Sequence, residues 1–133
     1  MGYDILRCGT RSAVFNDSDL WLLRHFALEA LTEGPNTAAR AELKRYFERW
    51  SWEAPGVYVG LDLQEPAAVA RALEQVLVGI RTRMADFPGN IPASYLHKHV
   101  APGLMTRWAD FPVDLLLKAV GQFQLVALGD PAS

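Results

Sequence analysis

Side chains able to move a proton, hold a metal or attack a carbon centre fall into four small groups: His97-Lys98-His99, Asp62 with Glu65, His25 with Glu29, and the single cysteine Cys8. Two histidines at i and i+2 converge on one ligand only in extended backbone, where both side chains leave the same face. In a helix the same spacing turns them roughly 200° apart. The flanking ASYLHKHV has helical character, so one of His97 and His99 is expected to pack and the other to face solvent. No further ligand stands at a zinc-like spacing nearby, and no metal is expected. His25 and Glu29 sit one helical turn apart, a spacing that can orient an imidazole for acid–base work. Both fall on the thin polar stripe of an apolar helix, where a solvated pair is the expectation. Cys8 lies in an apolar, strand-like segment, in which a lone thiol behaves as a small buried hydrophobe. Asp62 ends a strand, a common position for a working carboxylate, although capping the helix that begins at Pro66 accounts for it equally well.

Two aromatic residues stand apart from these. YFERWSWEAPGVY crowds Tyr46, Phe47, Trp50, Trp52 and Tyr58 together. The first three fit the inner stripe of a helix. Trp52 falls beyond it in a loop, and Tyr58 points away from the aliphatic face of the following strand. Aromatics left outside a core are favoured anchors at protein interfaces, so Trp52 and Tyr58 are the candidate partner-binding residues. Glycine-rich phosphate loops, GxSxG and HExxH are all absent from the sequence, and no cofactor is expected.

The bulk numbers narrow the classes. At 133 residues, with 50% hydrophobic residues and 21% charged, residues 1–133 suit one globular domain with a sizeable core. A net charge of −2 argues against nucleic acid, which selects a basic face. The basic residues Arg40, Lys44, Arg45 and Arg49 alternate with Glu42 and Glu48, the pattern of a solvated helix face. Nothing resembles a signal peptide or a run of ~20 apolar residues, and one cysteine forms no intramolecular disulfide. The chain is therefore expected to be cytoplasmic, away from membranes.

The elements that must position these residues are legible by period. YDILRC predicts a strand, GTRSAVF a weaker second one, and DSDLWLLRHFALEALTE a helix that is apolar almost all round, capped by Asp17, Ser18 or Asp19 and closed by Gly34-Pro35. Thr37 or Asn36 caps a second helix with Ala39, Leu43, Tyr46, Phe47 and Trp50 inward. Residues 57–63 alternate as a strand. A third helix from Pro66 to about Ala85 carries Val69, Leu73, Val76, Leu77, Ile80 and Met84 on one face. FPVDLLLKAV predicts a further helix, and GQFQLVALG is expected to leave it at Gly121 and form a final strand over 121–128. The fold class is α+β: about three strands in a small, antiparallel sheet packed against four or more amphipathic helices.

Arg-x-Ala-Asp-Phe-Pro occurs twice, at Arg83–Pro88 and Arg107–Pro112. The flanks do not align, so this is no repeat architecture. Proline disfavours helical backbone in the residue before it, so Phe87 and Phe111 end whatever precedes them. Asp86 and Asp110 are expected to accept backbone N–H groups in the turn or to cap the next element, with both Phe rings tucked into the core. On function, the sequence points to a small protein-binding module, an inhibitor or immunity-type protein that occludes a partner protein, rather than to an enzyme. The alternative is a small-molecule-binding or enzymatic domain with a site near Asp62, His97 and His99. A homo-oligomer is the third reading.

Overall fold

The computed structural model describes residues 3–8, 11–49, 66–100 and 109–129. Trp52, Tyr58, Asp62 and the strand expected at 57–63 lie outside those residues. The fold class is α+β, with helices predominating and the described strands confined to small antiparallel ladders. β1 (Tyr3–Cys8) and β2 (Arg11–Asn16) form a hairpin whose register runs from Tyr3 opposite Asn16 to Cys8 opposite Arg11. The weaker second strand of the sequence is thus real. Only Phe15 of β2 is fully buried, and Val14 faces outward.

α1 (Asp17–Glu33) follows without a loop. Its N-cap is Asn16, whose side chain makes no cap bond; instead the Asp19 carboxylate accepts Asn16's own backbone N–H. That is the return half of a capping box, and burial of this carboxylate raises its pKa. Leu20, Leu22, Leu23, Phe26 and Ala27 are enclosed, as the nearly continuous apolar circumference requires. α1 touches α2 (Ala38–Glu48), α3 (Pro66–Met84) and α5 (Val113–Leu128). Thr37 Oγ1 accepts the Arg40 N–H at 3.2 Å and caps α2 as expected. On α3 the whole expected stripe from Val69 to Met84 is buried.

Residues 121–128 are helical, not a strand. α5 continues to Leu128 because the inward spacing does not stop at Gly121: Val113, Leu116, Val120, Phe123 and Val126 are buried at steps of three and four. A glycine inside a helix costs about 1 kcal/mol. Enclosing Phe123 and Val126 returns roughly 1.5–3 kcal/mol each, so the tertiary term wins. The described strands therefore form two separate pairs rather than one sheet.

The second pair joins the two hexapeptides. β3 (Asn90–Ile91) and β4 (Phe111–Pro112) are antiparallel, with Ile91 opposite Phe111, and Val113 N–H donates to Gly89 O at 2.9 Å. Gly89 has φ of +90°, a conformation that other residues adopt only with strain. The first motif ends α3, the residues before the second lie outside the described residues, the exits of the two motifs meet, and both Phe rings pack partly against the core. Asp110 Oδ1 accepts the Ala93 N–H at 2.9 Å, capping the short helix α4 (Ala93–Tyr95). α4 runs into a π-helical turn, Leu96–Val100, that buries Leu96 and Val100.

Candidate functional site

The His25–Glu29 part of the α1 polar stripe is withdrawn from solvent, contrary to expectation. His25 and Glu29 are both half-buried, and the residue that covers them is Tyr95, 70 positions along the chain from His25. The Tyr95 hydroxyl lies 3.0 Å from His25 Nε2 and donates to Glu29 Oε2 at 3.5 Å. One tautomer satisfies both contacts: Nε2–H donates to the phenol oxygen, and the phenol proton goes to the carboxylate. Glu29 Oε1 also accepts Arg83 Nε at 2.8 Å, while Arg83 Nη1 donates to Asp86 at 3.1 Å. Arg83 spans Phe87, its guanidinium carbon 4.8 Å from the ring centre, and Tyr95 and Phe26 stack with planes 3° apart.

These groups set one another's protonation. Burial lowers the His25 pKa, Glu29 opposes it, and the neighbouring His99, Arg83 and Arg24 side chains lower it further. Burial and the Glu29 charge raise that of Tyr95, against Arg83. Burial works against the charge on Arg83, but bonding to Glu29 outweighs it and the pKa rises. The imidazole is thus pushed towards its neutral form beside the Glu29–Arg83 ion pair.

The sequence divides His97 and His99 into one packed and one solvent-facing ring, whereas the structure leaves both exposed. Both lie in the π-helical turn and are exposed; His99 rests against Tyr95 with ring centres 4.6 Å apart. His97 has interactions of its own. Among the described residues no group of three or more His, Cys, Asp or Glu is placed to hold a metal ion. The pairing of these histidines with Asp62 falls outside the described residues.

On the other side of Glu29 and Arg83 a cavity of about 250 Å³ opens between α1 and α3. Phe26, Ala30, Val76 and Gly79 make its apolar surface. Its far wall is Arg40, which the alternating charges of α2 predict to be solvated and which is instead buried, with 9% of its surface exposed. The reason is local. Arg40 Nη2 donates to Ala30 O at 2.7 Å, one of the last four carbonyls of α1, which have no partner within the helix. α1 has no basic residue in its last turn, so α2 supplies the cation that complements its negative end. Gly34 makes this approach feasible: a Cβ there would overlap Nη2 and lie 2.5 Å from the guanidinium carbon.

Capping does not use the whole guanidinium. Arg24 caps α2 through its Nε, 2.9 Å from Phe47 O, and Arg11 caps α5 through its Nε, 2.9 Å from Val126 O. Arg40 caps through Nη2, and its Nε is enclosed without a hydrogen-bond partner. Among the described residues Arg40 forms no ion pair, and neither does Glu33 at the cavity rim. A second cavity, of about 180 Å³, meets the opposite side of Arg40 and is bordered by Asn36 and Lys44. The sequence offers no sign of this site, because Gly34, Arg40 and α3 meet only after the hairpin of α1 and α2 has closed.

No protein-family model, curated protein or solved structure matches the chain. The site therefore stands on its own geometry.

Proposed function

We propose that the chain is a binding protein for a small polar molecule held between α1 and α3. The observation that supports it is Arg40: an arginine with 9% of its surface exposed on a cavity wall, with one side-chain hydrogen bond and no anion among the described residues. A buried charge without a counter-charge is costly, and a bound anionic group would offset that cost. This keeps the small-molecule alternative of the sequence and moves its site from Asp62, His97 and His99 to Arg40, Glu33 and the Glu29–Arg83 pair. Native mass spectrometry of protein purified without denaturation tests it. The wild type is expected to carry a small-molecule adduct that Arg40→Met loses; equal adducts in both would contradict the assignment.

The protein-binding reading keeps one observation in its favour. Leu115 and Leu125 are 50% and 49% exposed on the outer face of α5, with Lys118 and Gln122 between them. Such a strip, with Trp52 and Tyr58 as further anchors, suits an inhibitor or immunity-type role in the cytoplasm. If so, Leu115→Glu/Leu125→Glu should lose a protein captured by the wild type while melting at the same temperature. Undiminished capture would remove α5 from the interface. No helix among the described residues is long and apolar enough to cross a membrane.

A further inference from the structure

The α1–α3 cavity carries two opposed charges with no counter-charge among the described residues, and this bears on the class of polar ligand. Arg40 on the inner wall is a cation without an anion, and Glu33 on the rim is a carboxylate without a cation. The other two charges, Glu29 and Arg83, neutralise each other at 2.8 Å. The lining thus has no net charge but is polarised from Arg40 to Glu33, over an apolar surface formed by Phe26, Ala30 and Val76.

Each simple ligand class meets one of these charges badly. A phosphate or dicarboxylate satisfies Arg40 but brings excess negative charge towards Glu29 and Glu33. An amine satisfies Glu33 but is repelled by Arg40. A volume of about 250 Å³ corresponds to roughly eight waters at ~30 Å³ each. That is too large for a lone ion and below the range of about 300–1,000 Å³ usual for drug-sized ligands.

From this charge pattern we infer that the cavity takes a small zwitterion of the free α-amino-acid class: its carboxylate meets the Arg40 guanidinium, its ammonium meets Glu33, and a small apolar side chain lies against Phe26, Ala30 and Val76. The inference rests on the binding reading proposed above and adds the ligand class to it. A planar guanidinium matches a carboxylate better than an ammonium does, and the ammonium at the exposed rim is held by the weaker contact.

The test is calorimetric titration of the full chain with L-alanine and L-leucine, beside propionate, n-propylamine and inorganic phosphate as single-charge or anion-only probes. The amino acids are expected to bind, propionate to bind roughly two- to fivefold more weakly for want of the Glu33 contact, and n-propylamine and phosphate to bind at least tenfold more weakly or not at all. Glu33→Gln is expected to weaken the amino acids by roughly two- to fivefold, the worth of an exposed ion pair, and to leave propionate unchanged. Propionate or phosphate binding as tightly as the amino acids, with Glu33→Gln without effect, would overturn the zwitterion class while leaving a ligand site at Arg40. Silence of all five probes would overturn the inference; the adduct measurement on wild type and Arg40→Met judges the binding reading separately.

Discussion

Arg83 and Arg40 border the same cavity and differ in nearly everything else. Arg83 is about one-third exposed, bonded to Glu29 and Asp86, and laid over Phe87. Arg40 is buried, its side chain bonded once to a backbone carbonyl, and it faces no carboxylate within ion-pair distance among the described residues. The exposed arginine is the saturated one and the buried arginine is not, the reverse of what desolvation alone would select. Arg83 ties α3 to α1 and completes the Tyr95 network. Arg40 ties the end of α1 to α2 with one nitrogen, encloses its Nε, and lines the cavity without a carboxylate partner among the described residues.

Ligand binding should separate the two most strongly. Removing one partner of a buried charged contact costs about 2–5 kcal/mol, so Arg40→Met should lower affinity for a carboxylate-bearing ligand by at least ~30-fold. Gly34→Ala should act similarly without touching the charge, since its methyl occupies the guanidinium's position. Overpacking of this kind also costs about 1–3 kcal/mol, so its melting temperature should fall along with binding.

Stability separates the two arginines in the opposite sense. Arg83→Met leaves Glu29 without its cation and should lower unfolding free energy by about 1–2 kcal/mol, measurable by urea titration, while the bared Glu29 charge weakens binding by no more than about threefold. In Arg40→Met the lost bond to Ala30 is offset by removal of an unpartnered buried donor, and a smaller change is expected.

The Tyr95 network predicts a pH limb. Burial lowers His25 below its ordinary pKa of 6.5, so the unfolded chain takes up that proton before the folded chain does. Stability is complete above about pH 6.5 and declines as pH falls towards the lowered value. Thermal melts should show this decline, and His25→Gln should flatten it. The smallest effect tests the end of α5: Gly121 has open space around its Cβ position, and Gly121→Ala should raise stability by about 0.5–1 kcal/mol in a helix.

How much of the molecule is legible in its sequence depends on what each feature rests on. The α3 stripe, the Thr37 cap and the end of α3 before Phe87-Pro88 are local, and the structure shows each of them. The end of α5 departs from its local signals, Gly121 and the β-branched and aromatic residues after it, because the burial of Phe123 and Val126 overrides them. Arg40 has charged neighbours in sequence, which point to a solvated face. Its burial comes from an α1 carbonyl and the missing side chain of Gly34, neither visible in a helical wheel of α2. The His25–Glu29 spacing is plain in the sequence, but Tyr95, which removes the pair from solvent, arrives from a distant segment. The candidate site is thus hidden where long-range packing, not pattern, decides exposure.

The most direct test is the affinity of L-alanine for Arg40→Met and Arg83→Met, measured side by side with the wild type. Binding should fall by at least ~30-fold in Arg40→Met and stay within about threefold of wild type in Arg83→Met. Retained affinity in Arg40→Met, or an equal loss in Arg83→Met, would contradict the division of roles between the two arginines.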